Sequence, residues 1–261
     1  MHTPIKTVSV ITLIILLNGC SVQEKTWENV SPIFVKEEAK QHIKSTRVVV
    51  SIDQDERLGI PVMGQRTSHQ YFGVVGKLAE SGEERFKNDL SEDNRRLLRE
   101  VDLAAFRFDT GSKFREAVDN KIRPVDWLKV STVVNHADLQ IADIESMVQT
   151  QDEDALLLID NRYLMAIDFS NITVFSNVTL YAHSDELVKL AKAARPYEDP
   201  PTLYKNLFTY EFRIEGEFST ADDALKGWSK NGSEVVQRAI AESIADLSKR
   251  IAEDLSFTTV K

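Results

Sequence analysis

The stretch that most constrains this chain lies between residues 155 and 182, where the sequence reads as one long β-hairpin. Ala155-Leu-Leu-Leu-Ile159 is an unbroken apolar run of strand length, the pattern of a strand covered on both faces. Tyr163, Met165 and Ile167 are then set against Arg162 and Asp168, and Asp168-Phe-Ser-Asn171 supplies short polar residues suited to a tight turn. Ile172, Val174, Val178, Leu180 and Tyr181 make a β-branched and aromatic return strand. A hairpin with so apolar a face does not stand alone in water, so helices must be laid against it.

The remaining sequence offers those helices and further strands. Thr46-Arg-Val-Val-Val-Ser-Ile52 predicts a strand, and 83–100 is a charged segment with Phe86, Leu90, Leu97 and Leu98 at rough helical spacing. Asp109-Thr-Gly-Ser112 reads as a turn and N-cap, with Ser112 taken as a capping residue, before a short helix carrying Phe114, Val118 and Ile122 that Pro124 ends. Trp127, Val130, Val133 and Val134 suggest a strand. Asn135-His-Ala-Asp138 then reads as the cap of a helix containing Leu139, Ile141, Ile144 and Val148. Residues 187–194 predict a short Ala-rich helix, 195–201 a proline-rich surface loop, and 207–216 an alternating strand. Asn231-Gly-Ser233 marks the expected start of a helix over 233–255, whose Val236, Ile240, Ile244, Leu247, Ile251 and Leu255 form one apolar stripe. That helix spans about 33 Å, enough to cross a sheet. The expected fold is a single α/β sandwich domain with a mixed sheet, built on the hairpin and covered by helices.

The N-terminus is a different kind of sequence. Lys6 is followed by the apolar run 8–17, too short to span a membrane and of the length of a signal peptide's core. It ends in Leu17-Asn18-Gly19-Cys20, which resembles the lipobox of bacterial lipoproteins. The resemblance implies cleavage between Gly19 and Cys20, a diacylglycerol on the Cys20 thiol and acylation of the new amine. Several acyl chains hold a protein on a membrane stably where one holds it marginally. Residues 1–19 are accordingly expected as signal peptide, 20–45 as a lipidated tether and 46–261 as a periplasmic domain. Ser21, a residue other than Asp after the Cys, implies by the same resemblance passage to the outer membrane, with the outer face of the inner membrane as the alternative. Cys20 is the only cysteine, so the domain must be stable without a disulfide.

Charge and motifs exclude much. A net charge of -9, with Lys6 lost on cleavage, disfavours nucleic acid as a partner. No H-E-x-x-H, C-x-x-C or paired-His spacing holds zinc, so no metal and no cofactor is expected. Asp53-Gln-Asp55 resembles the start of a calcium loop but lacks the later ligands. Gly73 and Gly76 lack phosphate-loop spacing, and no G-x-S-x-G elbow exists. The consecutive carboxylates Glu153-Asp154 and Glu198-Asp199 read as solvated loop residues rather than a facing catalytic pair. No catalytic residue is named. Asp160 is the candidate ligand-binding residue, because it ends the most apolar strand, where α/β sites lie. The alternative is a strand residue turned to water where the apolar run stops. Trp127 and Trp228 read as core or interface aromatics.

The lipobox, the Asp154-Ala-Leu-Leu-Leu-Ile strand with its Asp-Phe-Ser-Asn turn, the Phe208-Thr-Tyr-Glu-Phe strand and the Trp228 segment entering a long helix together resemble uncharacterised bacterial envelope lipoproteins. More distantly they are similar to the small periplasmic α/β modules of curli-secretion and penicillin-binding-protein-activator lipoproteins. The resemblance spans roughly 46–255 as an order of elements and carries over Cys20 alone. It implies a non-enzymatic binding or assembly module held on the periplasmic side. The anchor, with a folded domain that lacks a catalytic set, leads to the expectation of a membrane-anchored module that binds another envelope protein in assembly or regulation. The rival readings are a ligand-binding or sensing lipoprotein using Asp160, and an envelope hydrolase.

Overall fold

The computed structural model describes residues 32–52, 92–106, 108–137, 141–166, 168–216, 218 and 220–257. Gly19, Cys20, the Asp53-Gln-Asp55 segment, the loop at 56–70, and Gly73 and Gly76 lie outside the described residues. The elements in chain order are α1 (Glu37–His42), β1 (Thr46–Ile52), α2 (Glu92–Phe106), α3 (Thr110–Ile122), a 3-10 turn (Asp126–Leu128), β2 (Val130–Ala137), α4 (Ile141–Thr150), β3 (Ala155–Met165), β4 (Asn171–Ala182), α5 (Asp185–Ala194), β5 (Thr202–Arg213) and α6 (Ala221–Ser256).

The five strands form one mixed sheet in the order β2-β1-β3-β4-β5. β1 lies parallel to both β2 and β3, and the hairpin β3–β4 and the pair β4–β5 are antiparallel. The chain moves outward from β1 to β2, then back across β1 to β3. Reversing direction at constant crossover hand puts the connecting helix on the other face. That is where α4 lies: Ile144, Met147 and Val148 pack on Val49, Leu156 and Leu158. The opposite face carries the main core, where α3 (Phe114, Val118, Ile122) and α6 (Leu225, Trp228, Val236, Ile240, Leu247, Ile251) cover Val48, Val50, Leu157, Ile159, Val178 and Leu180. Ala155 to Ile159 are therefore buried on both faces, as the unbroken apolar run required. A one-residue slip of β3 would exchange its two apolar faces and carry Asp160 into the main core, so the register is tightly specified.

At the turn, the Ser170 backbone N–H donates to the Asp168 carboxylate (3.0 Å), and Phe169 takes a left-handed conformation with its ring buried. Ser170 holds the Asp168 carboxyl below its ordinary value through its backbone N–H and, secondarily, its side chain. Phe169's carbonyl accepts the Trp228 indole N–H (2.6 Å), which ties the hairpin tip to α6.

Three local expectations are corrected. Asn135, His136 and Ala137 belong to β2 rather than to a helix cap, because pairing with Val50, Ser51 and Ile52 satisfies their backbone in the sheet. The cap of α3 falls on Asp109, which leaves Ser112 inside the helix. The last helix starts at Ala221, capped by Thr220, whose hydroxyl accepts the Asp223 N–H (3.2 Å). Its first turns are retained because Ala224, Leu225 and Trp228 bury there. The Asn231-Gly-Ser233 signal is still visible as an interruption, since Asn231 and Ser233 both have positive φ within α6.

Residues 33–45, read from sequence as the end of a tether, also pack. Ile33 bridges to Lys205 on the edge of β5, Ala39 and Ile43 join the main core, and the Lys40 ammonium lies 5.3 Å from the Trp127 ring centroid.

Candidate functional site

The structure sets Asp160 in a row of polar side chains that the sequence did not bring together. The pairings Ser51↔His136, Ser51↔Asp160 and Asp160↔Asn177 place these four residues side by side across β2, β1, β3 and β4. They share the face covered by α4, immediately beyond the apolar cluster of Val49 and Leu158. The row also lies near the carboxyl ends of β1 and β2 and crosses β3 at mid-strand, where its parallel pairing with β1 ends; open α/β sheets bind ligands beyond the carboxyl ends of parallel strands.

Asp160 is half-buried and so is not a residue simply turned to water. Its charge, with that of Glu198 from the 195–201 loop, acts on the Tyr181 phenol on the same face. Burial pushes that phenol up to about 12, the Thr179 side chain opposes the shift, and the two carboxylates add to it. Tyr181 is thus a neutral hydroxyl at all ordinary pH values. One carboxylate, one amide and one phenol that stays protonated at ordinary pH suit hydrogen bonding to a small polar molecule. They do not suit acyl transfer, because Ser51 is fully buried and a nucleophile must be reached by its substrate. Among the described residues, no three His, Cys, Asp or Glu side chains are grouped to hold a metal ion.

A second polar junction lies at the opposite end of the sheet, where β1, β2, β3 and β5 begin and β4 finishes. Asp154, expected as a solvated loop carboxylate, accepts the backbone N–H groups of Lys44 (2.9 Å) and Ser45 (3.0 Å) on one oxygen. Its carbonyl accepts those of His183 and Ser184. One residue thereby fixes the start of β1, the start of β3 and the entry to α5. Glu153 likewise accepts the Ser131 hydroxyl at 3.0 Å. Neither side-chain contact has a sequence signal, because the partners (Lys44 and Ser45 just before β1, Ser131 on β2) are distant in the chain.

The other pronounced polar groups are struts. Asp254 on α6 accepts the Tyr204 hydroxyl (2.5 Å) and the Asn206 amide (3.1 Å) from β5, and burial, then this acidic partner, push the Tyr204 phenol up. In the main core, Asn161 donates to the carbonyls of Ser51 (3.0 Å) and Ile159 (3.2 Å) and accepts the Ser176 hydroxyl (2.5 Å). Trp127 donates to the Leu255 carbonyl (2.8 Å), so both tryptophans singled out in the sequence are packing residues with a satisfied N–H.

No protein-family model matches the sequence. No curated protein sequence matches it significantly. Among solved structures, the PelC dodecamer from Paraburkholderia phytofirmans is similar at 10% identity, over 84% of this chain and 95% of that one, with a TM-score of 0.26. Protein XCC0632 from Xanthomonas campestris, described under the family model DUF330, is similar at 10% identity over 85% of this chain and 91% of its own, with a TM-score of 0.26. Likeness at that level carries no argument about function.

Proposed function

We propose that this chain is a lipid-anchored envelope protein, held through Cys20 with its domain in the periplasm, that works as a non-enzymatic protein-binding module in assembly or regulation. The observation that carries the anchor is the lipobox Leu17-Asn18-Gly19-Cys20 directly after a charged start and a short apolar run. The binding role is supported by β2, the terminal strand of the sheet. Among the described residues no strand pairs with its outer side, and Ser131, Thr132 and Asn135 are exposed along it. An eight-residue edge of this kind can accept an extended segment of a partner by backbone pairing, with side chains adding specificity.

A photo-cross-linker placed at Thr132 or Asn135 in the full-length protein tests this in cells. The expected result is a discrete adduct that is lost when Cys20→Ala releases the anchor. Absence of any adduct from either position would remove the support for the edge as a binding surface.

A second reading, a small-ligand-binding lipoprotein, is favoured by the row of His136, Ser51, Asp160 and Asn177. A small polar ligand should then raise the melting temperature of the wild-type protein and not of Asp160→Ala.

A further inference from the structure

The described residues include four large apolar side chains that are exposed: Phe34, Leu103, Tyr197 and Phe257. Three of them, at 60%, 98% and 72% exposure for Phe34, Tyr197 and Phe257, belong to one end of the molecule. Phe34 follows Ile33, whose backbone pairs with Lys205 near the start of β5. Tyr197 sits on the loop that returns to that start, where Pro201 accepts the Ala182 N–H. Phe257 caps α6 three residues beyond Asp254, which is bonded to Tyr204 and Asn206 on the same part of β5. Exposed aromatic rings gathered from three separate segments are not explained by the packing of this domain.

The same end is where the chain arrives from Cys20. Ile33 lies thirteen positions after that residue, so the connection reaches at most about 45 Å even if fully extended. We propose that this end rests on the phospholipid surface, with Phe34, Tyr197 and Phe257 seated among the headgroups. The inference depends on the lipid-anchor reading of Cys20. Tyr197 suits this interfacial depth because its ring meets apolar chains while its hydroxyl stays wet, and the wholly apolar rings of Phe34 and Phe257 gain by burial at the acyl boundary. The charges nearby are mixed, with Lys36 and Lys44 beside Glu37 and Glu38, and the whole protein is acidic. Contact should therefore depend on apolar insertion rather than on anionic lipid, and respond weakly to salt.

The test uses the only cysteine to advantage. Acylation consumes Cys20, so a second cysteine is the sole free thiol in the lipidated protein. Phe34→Cys, Tyr197→Cys and Phe257→Cys would each carry a fluorophore, with Glu215→Cys, exposed beyond the far end of β5, as the control. The full-length lipoproteins are reconstituted in vesicles of phosphatidylethanolamine with phosphatidylglycerol and probed with a neutral water-soluble quencher. The expected result is severalfold shielding at the first three positions, none at the fourth, and little change with added salt. Four equally quenched labels on protein that floats with the vesicles overturn the proposal while leaving the anchor intact. Protein that does not float and carries an unmodified Cys20 overturns the anchor, and this inference with it. Shielding that persists without vesicles in the Cys20→Ala background assigns the surface to a second copy and also overturns it.

Discussion

The hydrogen bonds of Asn161 give the most exacting test of how the two halves of the sheet are joined. Asn161 sits in the main core where β3 pairs with β1 on one side and β4 on the other, and its amide serves both. Ser176→Ala removes one hydroxyl and leaves the Asn161 carbonyl oxygen buried without a donor. An orphaned buried acceptor costs about 1–3 kcal/mol, and in a chain of this size each kcal/mol lowers the melting temperature by about 2–4 °C. Asn161→Leu costs more, since it frees the Ser176 hydroxyl and the Ser51 carbonyl together. In that background, however, Ser176→Ala orphans nothing and deletes a hydroxyl already without its partner, so its cost should vanish or reverse. The coupling between the two positions is therefore expected at about 1–3 kcal/mol. Urea unfolding followed by tryptophan fluorescence measures it, provided the four proteins share one denaturant slope. Effects that add to within about 0.5 kcal/mol would show that Asn161 and Ser176 do not share the buried bond, because residues that share one cannot act independently.

Asp154→Ala should cost about 1–3 kcal/mol through loss of the acceptor for the Lys44 and Ser45 N–H groups, and Asp154→Asn should cost less; equal unfolding midpoints for wild type and alanine variant would show the junction to be incidental. Lys129 is exposed and left-handed at φ 48°, so Lys129→Gly should stabilise by up to about 1 kcal/mol, read as a rise in melting temperature. The Tyr181 phenol is raised from its unfolded value to about 12, so its contribution is fully present below about pH 10 and is lost as pH rises toward 12. Unfolding midpoints should fall over that window. Tyr181→Phe should shallow the fall without abolishing it, because Tyr204 is shifted in the same direction.

The sequence was most legible where one periodicity meets one burial demand. The bounds of β1 and the turn at Asp168 are both legible in the sequence, because apolar runs and short polar turn residues are local signals. The α6 stripe was legible for the same reason, but its start was not. Asn231-Gly-Ser233 is a genuine interruption, and only the tertiary burial of Leu225 and Trp228 carries the helix past it. His136 looks from the sequence like part of a helix cap, because its place in β2 is set by pairing with Ser51, a partner 85 positions away. The same long-range pairing assembled the polar row around Asp160 and turned Asp154 from a loop carboxylate into a junction. Single-residue chemistry pointed to Asp160, whereas its neighbours are a property of strand order. The aromatic end is of this kind too, since the segments bearing Phe34, Tyr197 and Phe257 reach the same end of the molecule only once β5 and α6 are in place.

The anchor at Cys20 is the claim on which the proposed location and the membrane-facing end both stand. Mass spectrometry of the amino-terminal peptide from protein taken out of the membrane fraction tests it directly. The expected result is a chain that begins at Cys20 and carries the added mass of a diacylglycerol and an amide-linked acyl group. A chain retaining residues 1–19, or an unmodified Cys20 thiol, would contradict it.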